Sequence, residues 1–314
     1  MTNKMKAFVR TSASTQEVEL QEVNIPEMHA DEVSIKVEAF GVGIHDRYFI
    51  PSDVNFPYII GSEGSGVIME KGNQVNDFEI GDKVIFTTVL QTQGGSWAKY
   101  AVAKQSALIK RPDNLTAVVG ASIPIAGKTA LECMRELNLN TGDTLFIAGA
   151  SGAIGTLVIQ LAKAEGIRIS ASASSKNHDY MKSLGAEQTI DYNDPNWTTR
   201  VKEWSNGGVT KALVIQPGTG EENIEVVKHG GELITVSGNN SSVSSERDIE
   251  VRQMGHQLFA NKELIELINK ISNEEIKVVV EREYPFRYAL DALKETETRH
   301  ARGKLVVKVV NGEQ

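Results

Sequence analysis

The sequence predicts an α/β protein in two parts, a β-rich N-terminal part and a doubly wound parallel sheet with helices on both faces. Three observations carry this. Up to about residue 115, apolar and polar side chains alternate between closely spaced Gly and Pro. From Thr144 onward, strand-like and helix-like segments alternate. One apolar strand runs straight into a glycine turn followed by an amphipathic helix. With 314 residues, 40% of them hydrophobic and 24% charged, the chain can bury two cores, as a folded globular protein does.

The elements follow in order. Val33-Ser34-Ile35-Lys36-Val37-Glu38-Ala39 switches polarity residue by residue, the pattern of a half-buried strand. Residues 61–69 are Gly-rich and then apolar, and Gly81-Asp82-Lys83-Val84-Ile85-Phe86 reads as a turn entering a strand. After Pro112 the pattern changes, and 129–137 reads as a helix. The tail predicts a helix over 261–271, a strand over 276–280, a helix over 285–295 and a last strand over 304–310. The polar run at 238–245 reads as a connecting loop.

Composition excludes several classes of function. Against 33 Lys+Arg stand 41 Asp+Glu, a net charge of −8 with no basic block, so no footprint for nucleic acid or anionic lipid is expected. No run approaches the roughly 18–20 apolar residues of a membrane span. The first residues lack the apolar stretch and cleavage site of a secretory signal, so a cytoplasmic protein is expected. A single cysteine, Cys133, leaves no intrachain disulfide and no Cys-rich zinc site.

The sharpest local signal is Thr144-Leu145-Phe146-Ile147-Ala148-Gly149-Ala150-Ser151-Gly152-Ala153-Ile154-Gly155. Behind the turn, Ile154, Leu157, Val158, Leu161 and Ala162 fall on one helix face. Strand, glycine turn and helix form a Rossmann-type phosphate site, because free N–H groups at the helix start point at the anion. Ala150, Ser151, Gly152, Ala153, Ile154 and Gly155 are therefore the expected pyrophosphate contacts. Ala150 stands at the first glycine of G-x-G-x-x-G. Gly152 allows close approach of the pyrophosphate, and Gly155 allows the helix to pack on the strand.

A carboxylate about 20 residues past the glycines would bind the ribose 2′-hydroxyl of NAD. That stretch instead reads Ser170-Ala171-Ser172-Ala173-Ser174-Ser175-Lys176, with no carboxylate before Asp179. Ser172, Ser174 and Lys176 suit a 2′-phosphate, which a carboxylate would repel, so NADP(H) is the expected cofactor. A Ser-rich turn capping the next helix is compatible with the same role. Gly127-Lys128-Thr129 imitates the end of a nucleotide triphosphate loop, but Ser122 stands where its first glycine is required.

Taken together, these motifs resemble the medium-chain dehydrogenase/reductase superfamily, in its zinc-independent quinone oxidoreductase branch. Gly61-Ser62-Glu63-Gly64-Ser65-Gly66 looks like its Gly-x-Glu-x-x-Gly signature, and Gly81-Asp82-Lys83-Val84 like its G-D-R/K-V turn. Pro124-Ile125-Ala126-Gly127-Lys128-Thr129-Ala130 resembles the segment whose threonine approaches the nicotinamide. Gly149 to Gly155 is similar to the branch's G-A-S-G-x-x-G variant, and Leu184-Gly185-Ala186 with Ile190-Asp191-Tyr192 to the element after the second Rossmann strand. Tyr284-Pro285-Phe286 and His300-Ala301-Arg302-Gly303-Lys304 look like the closing helix and strand.

The resemblance implies a GroES-like catalytic domain built from 1–121 and 257–314, a Rossmann NADP-binding domain over 122–256, and substrate in the cleft between them. It also implies cofactor contacts from Thr129, from Tyr192 at the adenosine end, and from Ser237. Zinc-bearing members have Cys and His ligands where this chain has Gly43 and Ser62, and the six histidines show no metal-ligand spacing. Gln216-Pro217-Gly218 replaces a usual Asp-x-x-Gly turn, and the segment from Gly238 to Lys262, which normally adds a late strand used in dimer contacts, is short. A homodimer is expected from the resemblance and opposed by that shortening.

Without a metal to stabilise an alkoxide, oxidation of a simple alcohol lacks its main charge stabiliser. Quinones and α,β-unsaturated carbonyls are already electrophilic and delocalise the charge that hydride brings, so they are the expected substrates. Tyr48, in Asp46-Arg47-Tyr48, matches a cleft tyrosine of the branch and has two readings, a phenol that orients or protonates the acceptor carbonyl and a packing residue. Arg47 reads as a solvated residue or as a charge favouring the developing anion, His45 as a structural residue or a substrate contact, and Glu63 as structural. The rival functions are an alcohol or aldehyde dehydrogenase and a catalytically weak NADPH-binding regulator.

Overall fold

The computed structural model describes residues 4–217, 219–237, 247–255 and 261–310. The chain divides into two units, one gathering residues up to 125, 264–275 and from 280 on, the other 126–263 and 276–279.

The first unit is β-rich. Its strands are β1 (Lys4–Arg10), β2 (Val18–Asn24), β3 (Glu32–Val42), β4 (Tyr58–Ile59), β5 (Glu63–Lys71), β6 (Lys83–Thr87), β7 (Tyr100–Lys104) and β8 (Leu108–Lys110). The long β3 is the alternating segment, and it pairs antiparallel with β5 and β7. The C-terminal strands join the sheet of β3: the last strand (Lys304–Lys308) pairs antiparallel with β3, and the strand Val280–Pro285 pairs parallel with that last strand. Phe8, Phe40, Trp97 and Phe286 meet at the centre of the core, with Phe40 stacked on Trp97 at 5.0 Å. Gly61 precedes β5 at φ +110°, and a Cβ there would stand 2.2 Å from Trp97, so only glycine fits.

The second unit holds β9 (Thr144–Ala148), β10 (Arg168–Ser172), β11 (Gln188–Ile190), β12 (Val209–Val214), β13 (Val227–Thr235) and β14 (Glu250–Gln253). They form one parallel sheet in the order β11-β10-β9-β12-β13-β14. In chain order the helices are α1 (Ala117–Ala121), α2 (Pro124–Leu137), α3 (Ala153–Ala164), α4 (His178–Leu184), α5 (Trp197–Trp204), α6 (Gly220–Asn223), α7 (Asn261–Ser272) and α8 (Ala289–Glu297). On α3, Leu157, Val158 and Ala162 are buried as their spacing predicts, while Ile154 and Leu161 are half-buried. Phe146 of β9 stacks on Trp197 of α5 at 5.5 Å within this unit's core.

Four local expectations change. The predicted strand at 276–280 is absent over 276–279, and β15 runs instead from Val280 to Pro285 (Val280–Pro285). The backbone of Lys277 is taken by a side chain: Gln160 of α3 donates to its carbonyl at 2.9 Å and accepts its N–H at 2.7 Å. The helix expected from 285 starts at Ala289, after a 3₁₀ turn over Phe286–Tyr288, and β16 (Lys304–Lys308) stops two residues short. The helix expected from 129 begins at Pro124, since proline suits a first helical position where no N–H is needed. The 238–262 segment does supply a sixth strand, β14, at the sheet edge; the polar loop at 238–245 and Gly218 lie outside the described residues.

Candidate active site

A level row of strand ends frames the site in the second unit. Ser172 pairs with Ala148 and with Ile190, while Val214 pairs with Ala148 and with Thr235. The chain leaves β9 for β10 and β11 on one side, then returns to β12, β13 and β14 on the other. Ligands of open α/β sheets bind at the carboxyl ends of the strands, at this reversal. The glycine turn follows β9 directly.

Its geometry suits a phosphate. The first hydrogen bond of α3 runs from the Thr156 N–H to the Gly152 carbonyl (3.0 Å), so the N–H groups of Ala153, Ile154 and Gly155 have no partner inside the helix. A Cβ at Gly152 would meet only the Gly149 carbonyl, 3.7 Å away, so the face before the helix is open. At Gly155 a Cβ would lie 2.6 Å from the Ala150 backbone, the contact that seats the helix on the turn. Ala150 is buried, and its N–H donates to the Ser172 carbonyl at 3.0 Å, tying the turn to β10.

Past β10 the chain exposes Lys176, leaves Ser174 half-buried and buries Ser172. Asn177 is buried at 4% exposure, and its Nδ2 donates to Ser151 Oγ (3.2 Å) and to Ser174 Oγ (3.3 Å). Asp191 accepts the Asn193 N–H at 2.9 Å, the Asn193 side-chain amide at 3.0 Å and the Ser175 N–H. The Asn193 backbone bond leads in holding this carboxyl below its ordinary range. Tyr192 follows, exposed, and Ser237 stands just beyond β13, half-buried. One sheet edge thus gathers the glycine turn, Ser172, Ser174, Lys176, Tyr192 and Ser237. Thr129 is half-buried on α2. These groups fit a dinucleotide: an open helix start for a pyrophosphate, and hydroxyls with a lysine for a further phosphate.

Tyr48 belongs to the first unit. It sits in a turn where the N–H groups of Tyr48 and Phe49 donate to the His45 carbonyl at 2.8 and 2.9 Å. Asp46, 3% exposed, anchors that turn: one carboxylate oxygen accepts the Gly43 N–H at 2.6 Å, the other the Ser62 hydroxyl at 2.7 Å. Burial pushes the Asp46 carboxyl up to about 6, against the pull of Lys304 and of its two hydrogen bonds. Glu63, buried beside it, pairs with Lys304 at 2.5 Å and accepts the Ile125 N–H at 2.8 Å, a structural role. The ring of His45 stacks on Phe49 at 5.0 Å; burial, then the charge of Arg299, lowers its pKa. Tyr48 is 45% exposed, and its hydroxyl has no hydrogen-bond partner among the described residues.

Arg47 corrects the reading of a solvated side chain. Its guanidinium pairs with Glu297 at 2.8 Å and hydrogen-bonds it at 3.1 Å, while its carbonyl accepts Arg10 at 3.1 Å. Asp46 and Asn177 are the residues that sequence reasoning missed. Both are buried polar side chains bonded to turns, and no periodicity or motif marks such a residue.

Where zinc-bearing relatives have ligands, Gly43 offers no side chain and the Ser62 hydroxyl is engaged as a hydrogen-bond donor to Asp46. Among the described residues, no group of three or more His, Cys, Asp or Glu is placed to hold a metal ion. The donor set does not fit zinc.

Comparison with known proteins agrees with this architecture. Residues 29–113 match the family model described as alcohol dehydrogenase GroES-like domain, and residues 184–307 the one described as zinc-binding dehydrogenase. The NADPH-dependent alkenal/one oxidoreductase of Arabidopsis thaliana is 29% identical over 96% of this chain and 79% of its own length. A chloroplastic quinone-oxidoreductase homolog of Spinacia oleracea is 26% identical over 91% of this chain and 92% of its own. The structure of the quinone oxidoreductase from Coxiella burnetii superposes with a TM-score of 0.85 at 27% identity, covering 98% of this chain and all of that one.

Proposed function

The chain belongs to the medium-chain dehydrogenase/reductase superfamily, in its quinone oxidoreductase-like branch, and from that premise we propose an NADPH-dependent, zinc-independent reductase that transfers hydride to quinones or α,β-unsaturated carbonyls. The observation that carries it is a sheet edge fitted to a phosphorylated dinucleotide, in a chain matching an NADPH-dependent alkenal/one oxidoreductase over 96% of its length.

In this reading residues 122–256 bind the cofactor, and residues 1–121 with 257–314 bind the acceptor. The bound dinucleotide supplies the hydride from its reduced nicotinamide. The turn at Ala150 to Gly155 holds the pyrophosphate, Ser172, Ser174 and Lys176 hold the 2′-phosphate end, Tyr192 and Ser237 line the cofactor, and Thr129 meets the nicotinamide. Tyr48 orients the acceptor carbonyl and offers it a proton. Support for omitting zinc comes from Gly43 and from Ser62, whose hydroxyl is engaged by Asp46.

Assembly as a homodimer belongs to the same proposal, with β14, the edge strand of the sheet among the described residues, as the contact. So does a cytoplasmic location, supported by the lone cysteine, Cys133, kept as a buried thiol. Among the described residues no helix is long and apolar enough to cross a membrane.

The test is NADPH oxidation by purified protein with a panel of quinones and enones, run beside NADP⁺ reduction with simple alcohols and a direct nucleotide-binding measurement. Oxidation with the first panel alone supports the proposal. Alcohol oxidation would favour an alcohol dehydrogenase, and binding without turnover a regulator.

A further inference from the structure

We propose that Asn177 is a positioning residue for cofactor selectivity, its side-chain amide fixing the Ser151 and Ser174 hydroxyls so that both donate to phosphate groups of the dinucleotide. The proposal rests on the NADPH reading above.

The argument is one of hydrogen-bond inventory. An amide nitrogen carries two hydrogens, and a serine hydroxyl has one hydrogen and two acceptor lone pairs. Asn177 Nδ2 spends one hydrogen on each serine, at 3.2 Å to Ser151 and 3.3 Å to Ser174. Each hydroxyl is thereby engaged as an acceptor. Among the described residues neither donates its own hydrogen to a protein atom, and both side chains are half-buried rather than enclosed. Their hydrogens are left for a ligand that only accepts, which describes a phosphate oxygen.

The placement adds to this. Ser151 lies in the turn after β9 and Ser174 in the turn after β10, so one buried side chain links the pyrophosphate turn to the turn carrying Lys176. Asn177 is itself fixed, because its backbone N–H donates to the Ser174 carbonyl at 2.9 Å. An aspartate here would keep the shape and reverse the chemistry. A carboxylate only accepts, so it would draw both hydroxyl hydrogens inward and set a negative charge beside the phosphates.

The test measures Kd by calorimetry for NADPH, NADH and 2′,5′-ADP with unmodified protein, Asn177→Asp, Asn177→Ala, Ser174→Ala and the double variant Asn177→Ala/Ser174→Ala. The ratio of NADH to NADPH Kd is taken within each protein, so a change in fold stability cancels. Asn177→Asp is expected to lower that ratio by roughly tenfold or more, and to weaken 2′,5′-ADP by a similar factor. Asn177→Ala should lower it less, and by under about twofold once Ser174 is already alanine. An unchanged ratio in Asn177→Asp, with unmodified protein still preferring NADPH, overturns the role of Asn177 and leaves the cofactor reading standing. Additive effects of Asn177→Ala and Ser174→Ala overturn it equally. No NADPH preference in the unmodified protein overturns both together.

Discussion

The Ser62 hydroxyl donates to the Asp46 carboxylate at 2.7 Å, deep in the first unit, and that bond secures the turn carrying Tyr48. A buried carboxylate held this way costs stability whenever it is ionised, because burial pushes it up to about 6 from an ordinary 3.8. Its contribution favours folding fully below the ordinary value and is lost as pH rises through about 6. The difference amounts to at most about 3 kcal/mol.

Asp46→Asn should therefore be the more stable protein at pH 8, with the advantage shrinking as pH falls through about 6 and gone only below about 3.8. Thermal unfolding midpoints of both proteins across that range check the sign, and a variant less stable at pH 8 would refute it. The amide still accepts from Gly43 with its oxygen and can donate to Ser62, so the fold should hold.

The glycine turn separates two kinds of glycine. At Gly152 a side chain has room in the protein itself, its nearest neighbour being the Gly149 carbonyl at 3.7 Å. Gly152→Val should cost only on the order of 1 kcal/mol as a poor N-cap and yet abolish NADPH binding. Gly155→Val drives its Cβ into the Ala150 backbone and should lose about 1–3 kcal/mol or more, whatever the ligand. Melting curves with and without NADPH distinguish the two. Normal NADPH binding by Gly152→Val would place the phosphate site elsewhere.

Lys176 is exposed beside Ser174 and has no ion-pair partner among the described residues. Lys176→Ala should reduce the preference for NADPH over NADH by about tenfold, the worth of one charge-assisted contact. Competitive binding measurements report it directly, and equal preference before and after would remove Lys176 from the site.

Tyr48→Phe should slow turnover by less than about tenfold, since a reduced quinone or enolate can take its proton from water. Rates with a benzoquinone and an enone should be compared, because the enolate depends more on a nearby donor. A loss of about 10²–10⁴-fold with both would make Tyr48 the obligatory acid. No loss with either would return it to packing.

Much of this was legible in the sequence, for physical reasons. Strand and helix periodicities differ, so β3 and the run from β9 into α3 announce themselves, and the glycines of the turn mark a backbone that must admit an anion. What escaped was decided by partners distant in sequence. Lys277 is drawn out of a strand by Gln160, 117 residues away. Arg47 is taken by Glu297, 250 residues away, so its free-charge reading dissolved only with the fold. Asp46 and Asn177 carry no pattern at all, because the groups they bond are turn backbone and lone hydroxyls rather than periodic neighbours.

The central claim is that this chain moves hydride from NADPH to an activated acceptor. Incubation with NADPH deuterated at nicotinamide C4 and an α,β-unsaturated ketone, followed by mass analysis of the product, tests it most directly. The account predicts a saturated ketone carrying the label at the β-carbon, formed from NADPH in preference to NADH. An unlabelled product, or no product while NADPH binds, would contradict it.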